Sequence, residues 1–299
     1  MSGILTPLGI GLTTGLIFAW AVLALALAFR LLHFPDLTVE GSFPMGAAVF
    51  AVAVQSGWPG EIAALSGCAA GGLLGLMTGL IHVKLGVNKF LCGIIVVAIS
   101  YSLSLRVMAG PNIGLLGLNV SLNPFGDAIK GTSMMASACF LGGLMALGTA
   151  LVLVGLHTRP GVELRAVGSN SSFASAVGLK TGIFVPVGLA FTNAMAGLGG
   201  VLLADYQGFA DVSLGQGGLI LALAAMTIGE RLVPQKWMRR VVYVVLSAIV
   251  GSISYQVLIA FAVRLGVAPA DLRLATAVLV LLVISARRGE FREALEGEL

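Results

Sequence analysis

The stretch FPDLTVEGS, Phe34 to Ser42, sets Asp36, Thr38 and Glu40 at alternate positions between the apolar runs 8–30 and 43–56. Acidic residues are scarce in this chain, which is 58% hydrophobic and 10% charged. Pro35 and Pro44 remove backbone donors and Gly41 permits a turn, so the stretch reads as a break between helices. Thr38 and Ser42 are candidate caps for the run that follows, and Glu40 suits its positive N-terminal end.

Outward from the break, a mean hydropathy of +1.03 and repeated apolar runs of about 20 residues mark a multi-span α-helical membrane protein. The runs fall near 8–30, 43–56, 60–82, 89–108, 134–157, 182–204, 216–229, 239–263 and 272–286. The second and seventh are too short to cross a hydrocarbon core of about 30 Å at 1.5 Å per residue and read as half-helices. The pI of about 9.2 does not indicate a nucleic-acid partner, because in an inserted chain basic residues act mainly as topology signals. No Lys or Arg precedes Arg30, so the first run is expected to remain as a span with its N-terminus outside. Alternating threading then leaves only Arg106, Lys130, Arg264 and Arg273 of the 17 basic residues outside, and the C-terminus is expected in the cytoplasm.

FPDLTVEGS has a counterpart in FADVSLGQG at Phe209, where Asp211 and Ser213 match Asp36 and Thr38. KLGV at Lys84 recurs as RLGV at Arg264, at nearly the same offset. The first copy of each pair is threaded on the cytoplasmic side and the second outside, so the pattern reads as a repeat with inverted topology. Broken helices related in this way commonly meet near the membrane midplane and form a transport path.

Breaks of this kind are tolerated in lipid only when buried in protein or lining a water-filled cavity. A charge at membrane depth costs ~2.5–3.5 kcal/mol on insertion scales, so Asp36 and Glu40 need a role. Either they line the path and touch a substrate or coupling ion, or they cap helix ends and pair with Arg30 or His33. Closeness of the 30–42 stretch to the cytoplasmic interface favours the structural role.

Gly67, Gly71, Gly75 and Gly79 form a stripe that allows close helix approach, within the subunit or across a dimer. The polar segment 158–181 contains Ser169 and Asn170 as candidate caps of a short helix closed by Gly178. Phe173, Ala174 and Val177 are expected on one side of it, which something must cover. The residues alone also allow a loop helix folded back on the membrane surface.

Cys68, Cys92 and Cys139 lie in separate apolar runs and read as packing residues, with no metal-ligand spacing. His33, His82 and His157 sit at span ends, where an amphipathic ring is ordinary. There is no GxxxxGK[ST], no HExxH and no nucleophile, base and acid set, so catalysis is not expected. ATP, if used, must be bound by another chain.

RLLHFPDLTVEGSFPMGA, GPNIGLLG at Gly110, RAVGSNSSFASAVGLKTG and LALAAMTIGERL before Pro234 together resemble permease subunits of bacterial ABC importers. The group is the branched-chain amino acid and ribose permeases, with the strongest likeness to tryptophan-type permeases, and the resemblance covers almost the whole chain. It implies an inner-membrane permease that pairs with a second permease copy around a central path. It further implies an external binding protein and a cytoplasmic ATPase dimer holding ATP and Mg, with no cofactor on this chain. By the same resemblance, Ser169 to Gly178 is the coupling helix that docks on the ATPase. The family often carries an acidic or amide residue early in that helix; here Ser169 and Asn170 occupy the region.

The expected fold is all-α and polytopic, with about seven full spans and two short or broken helices. A single permease domain, 1–299, contains repeat halves at about 8–108 and 182–286 and the coupling loop 158–181. The expected function is inward movement of an amino acid or similar small solute by alternating access. In an alternative reading, Asp36, Glu40 and Asp211 bind a coupling cation or proton in a secondary transporter that needs no ATPase. A non-transporting scaffold fits paired broken spans poorly.

Overall fold

The computed structural model describes residues 2–115, 122, 133–234, 238–267, 271, 274 and 278. Ten α-helices lie among them: α1 (Ser2–Arg30), α2 (Val39–Gln55), α3 (Gly60–Leu85), α4 (Lys89–Met108), α5 (Ser133–His157), α6 (Arg159–Ser169), α7 (Ser171–Ala176), α8 (Thr181–Gln207), α9 (Gly218–Leu232) and α10 (Arg240–Arg264). The all-α polytopic expectation holds. Seven helical stretches are long and apolar enough to cross a membrane, so this is a multi-pass membrane protein. The expected run 272–286 lies largely outside the described residues.

Two boundaries differ from the sequence reading. The run expected as a short helix at 216–229 extends, with a 3-10 turn at Val212–Gly215, into a stretch of 21 residues from Val212 to Leu232. It is long enough to span, but is interrupted near its start at Gln216 and Gly217. The segment 158–181 forms two helices, α6 and α7, because Asn170 adopts an extended backbone between them and caps the second.

Small residues set the packing of the bundle. A Cβ on Gly67 would strike Val201, on Gly71 the Asn193 carbonyl, on Gly75 the Leu189 carbonyl and on Gly79 Pro186. The whole stripe therefore lies against α8 of the same chain, which answers the question of its partner. α1 packs on α10 by a related device: side chains at Gly11 and Gly15 would meet Val257 and Ile253, and Ser252 Oγ donates to the Gly15 carbonyl at 2.8 Å. Close backbone approach brings more atoms into van der Waals contact, the main source of helix association where lipid is as apolar as the side chains.

α1, α2 and α8 are mostly buried, whereas α4 and α5 lie at the periphery. Phe90, Leu91, Ile94 and Ile95 are exposed on α4, as suits an apolar environment. A two-stranded ribbon, which the sequence reading did not foresee, joins the far end of α4 to that of α8. β1 (Asn112–Gly114) pairs antiparallel with β2 (Phe209–Asp211), with Asn112 opposite Asp211. β1 is the centre of GPNIGLLG and β2 the start of FADVSLGQG, so two of the quoted motifs meet.

Candidate functional site

The first break is far deeper than its sequence position suggests. The chain leaves α1 through Leu31 and Leu32, turns at Phe34, whose N–H donates to the Ala28 carbonyl at 2.9 Å, and enters α2 at Val39. Asp36 is fully buried and accepts the Asn193 Nδ2 amide at 2.6 Å. Asn193 stands 12 residues from Thr181 and 14 from Gln207, the middle of α8 and about 18 Å from its start. Sequence position alone leaves the depth of 30–42 open; packing against α8 draws its second half into the centre of the bundle.

A polar network holds it there. Ser42 Oγ donates to Asn193 Oδ1 at 2.7 Å, Asn193 Nδ2 also donates to the Leu189 carbonyl at 2.9 Å, and Thr38 Oγ1 lies 2.7 Å from Thr78 Oγ1. Thr78 Oγ1 donates in turn to the Leu74 carbonyl, and Ser100 Oγ to the Gly41 carbonyl at 2.7 Å. The break is thereby tied to α3, α4 and α8. Buried polar groups left without such partners would each cost about 1–3 kcal/mol.

These contacts revise the expected roles. Thr38 occupies the N-cap position of α2 but makes no side-chain cap bond; its hydroxyl faces Thr78, and Ser42 bonds Asn193. Glu40 pairs with neither Arg30 nor His33: its Oε1 accepts the Gly217 N–H at 2.7 Å. Arg30 instead makes a two-point ion pair with Glu230 at the end of α9, with Nε–Oε1 2.8 Å and Nη2–Oε2 2.7 Å.

The two breaks share local geometry and touch. Asp36 Oδ1 accepts the Thr38 N–H at 2.9 Å, and Asp211 Oδ1 accepts the Ser213 N–H at 2.7 Å, the same bond at matched residues. The 3-10 turn then runs beside α2 until Gly215 rests on the Glu40 carbonyl and Pro44, where any side chain would collide. Gly217 follows with φ +79°, a left-handed conformation that glycine adopts without strain. KLGV and RLGV also do one job, each ending a long helix with a left-handed glycine, Gly86 and Gly266.

At the other site expected from the sequence, Asn170 Oδ1 accepts the Phe173 N–H at 2.9 Å and caps α7. Ser169 ends α6 and does not cap; its Oγ donates to the Ala166 carbonyl at 3.0 Å. Gly178 closes the helix with φ +87°. Phe173 and Val177 are exposed together, 65% and 59%, whereas Ala174 is buried, so the three do not share one open side. α6 seats α7 on the bundle: Gly168 lies against the Leu31 carbonyl and Leu164 against Gly188.

Sequence reasoning missed Asn193, Thr78 and Glu230. A lone Asn within a 27-residue apolar helix is itself a signal, since an amide at that depth needs a partner. Glu230 sits in the quoted LALAAMTIGERL, but nothing in its spacing points to Arg30.

A bundle of crossing spans with interrupted helices packed at its centre is the architecture of a membrane transport protein. The model for the permease component of branched-chain amino acid transport systems matches residues 8–285, and the chain belongs to that family. It is 31% identical over 283 residues to a tyrosine transport system permease protein of Clostridioides difficile (strain R20291), covering 94% of this chain and 90% of the relative. An uncharacterized protein of Rickettsia prowazekii (strain Madrid E) is 26% identical over 280 residues, covering 93% and 97%. No solved structure matches significantly.

Proposed function

We propose that this chain is the membrane subunit of an ATP-driven importer, carrying an amino acid or similar small solute received from an external binding protein. The observation that carries this reading is the exposed pair of Phe173 on α7 and Val177 at its C-terminal cap, a surface suited to a cytoplasmic ATPase and attached through α6 to the start of the first break. ATP and Mg belong to the ATPase dimer, and a second copy of the permease completes the path. The location is the bacterial inner membrane, with the N-terminus outside and the α6–α7 face in the cytoplasm.

In this reading alternating access follows a mechanical route through these contacts. Displacement of α7 by the ATPases moves α6, whose Gly168 rests on Leu31, two residues before the backbone turn at His33, where φ is +48°. From there the Asp36–Asn193 bond links the break to α8, and Glu40–Gly217 links it to the second break. In this reading the repeat halves, about 8–108 and 182–286, move against each other. Asp36, Thr38 and Ser42 hold the first break, Asp211 and Ser213 shape the second, and the surface where the breaks meet borders the path.

The relative's stated tyrosine transport makes L-tyrosine the first solute to try. Proteoliposomes containing the permease, its ATPase and its binding protein are expected to accumulate radiolabelled L-tyrosine only with ATP on the ATPase side. Uptake by the permease alone under a proton or sodium gradient would overturn the ATP-driven reading in favour of ion coupling.

A further inference from the structure

Resting on that reading, we propose that Glu40 contacts the ammonium group of the transported solute where the two helix breaks meet. Its neighbours differ from it in kind. Asp36, Thr38 and Ser42 are fully buried and have partners within the chain, whereas Glu40 is partly exposed. Oε1 accepts the Gly217 N–H, and Oε2 has no hydrogen-bond partner among the described residues.

Depth makes this arrangement informative. The next residue, Gly41, bonds Ser100, which lies 11 residues from Lys89 and 8 from Met108 on α4. A partly exposed carboxylate at that level cannot face lipid, where a lone charge is strongly disfavoured, so its open side must face water or a polar ligand. Arg30 is engaged by Glu230, and Lys89 Nζ donates to the His33 carbonyl, so neither supplies a counter-charge. In a low-dielectric path an unpaired carboxylate attracts cations and repels anions, and a primary ammonium can also donate hydrogen bonds to it. Gln216, exposed and next in sequence to the Gly217 that bonds Glu40, adds a polar side chain at this place.

The discriminating variant is Glu40→Gln, which keeps an oxygen for the Gly217 N–H and removes only the charge. In the full transporter, L-tyrosine uptake is expected to fall about tenfold or more, the loss of a charge-assisted contact, with membrane content and unfolding temperature near wild type. Glu40→Asp should recover part of the rate. Wild-type uptake by Glu40→Gln, or loss accompanied by unfolding, would overturn the assignment.

A second readout does not depend on the solute. With Cys68, Cys92 and Cys139 replaced by Ala, a Gln216→Cys reporter is treated with cationic or anionic methanethiosulfonate reagents. The cationic reagent should react faster, and Glu40→Gln should lower the rate ratio about fivefold or more. A reporter that neither reagent labels, or a ratio unchanged by Glu40→Gln, would refute a water-facing carboxylate. Failure of wild-type tyrosine uptake with a charge-sensitive reporter would count against tyrosine as the solute and leave Glu40 as a cation contact.

Discussion

The Asp36 carboxyl accepts the Asn193 Nδ2 amide at 2.6 Å across 157 positions of sequence, binding the first helix break to the middle of α8. Asn193 Oδ1 takes the Ser42 hydroxyl at the same time, so one amide closes both sides of the break. An irregular segment can lie among apolar helices because its polar atoms find such partners there.

Asp36→Ala removes the acceptor of both the Asn193 amide and the Thr38 N–H. We expect ~2–4 kcal/mol of destabilisation, read as a lowered unfolding midpoint in detergent, because the buried Thr38 N–H and one of the two Asn193 amide hydrogens lose their acceptor. Asp211→Ala should cost under ~1 kcal/mol, since the bonds from Ser213 are solvent-accessible. Equal losses at the two sites would argue against the network as the first break's anchor.

Gly75→Val should force α3 away from α8, because even a Cβ there collides with the Leu189 backbone carbonyl. Overpacking of this kind costs about 1–3 kcal/mol or more, and rigid backbone offers little relief. The variant is expected to aggregate on size-exclusion chromatography. Gly143→Val on α5, where a Cβ meets open space, should remain monodisperse.

Phe173→Asp is expected to leave the fold within ~0.5 kcal/mol of wild type, because the ring is exposed. Its measurable effect should be on the ATPase, with copurification weakened about tenfold or more. Ala174→Asp should instead destabilise the permease itself, since Ala174 is buried. If Phe173→Asp retains wild-type ATPase binding and uptake, α7 is not the coupling surface.

Arg30 and Glu230 join the ends of α1 and α9, and Tyr243 Oη donates to the Glu230 carbonyl at 3.0 Å. A double-mutant cycle with Arg30→Ala and Glu230→Ala should give a coupling of ~0.5–2 kcal/mol, limited by the partial exposure of Arg30. Arg30→Lys should not recover it fully, since an ammonium cannot match the two-point geometry. Zero coupling in low-salt detergent would show that the pair is energetically idle.

Much of this arrangement was written in local chemistry. Apolar runs of about 20 residues specify spans because backbone in lipid must satisfy itself within one helix. Pro35, Gly41 and the acidic positions around Thr38 mark the break, and the match with Phe209–Gly217 pointed to the second. The α7 cap followed from Asn170 and Gly178, although the sequence reading placed Ala174 on the wrong side, as a short helix shows its buried face only once docked.

Sequence by itself determined the membrane class, most span positions, the two breaks and the glycine stripe, each set by residues within a turn or a span of one another. Tertiary structure decided the stripe's partner, the depth of Asp36, the pairing of Arg30 with Glu230 and the meeting of Glu40 with Gly217. Those depend on which helix surfaces fit closely enough to exclude side chains and which distant polar groups then fall within about 3 Å. Such relations join residues from opposite ends of the chain, and local propensity does not encode them.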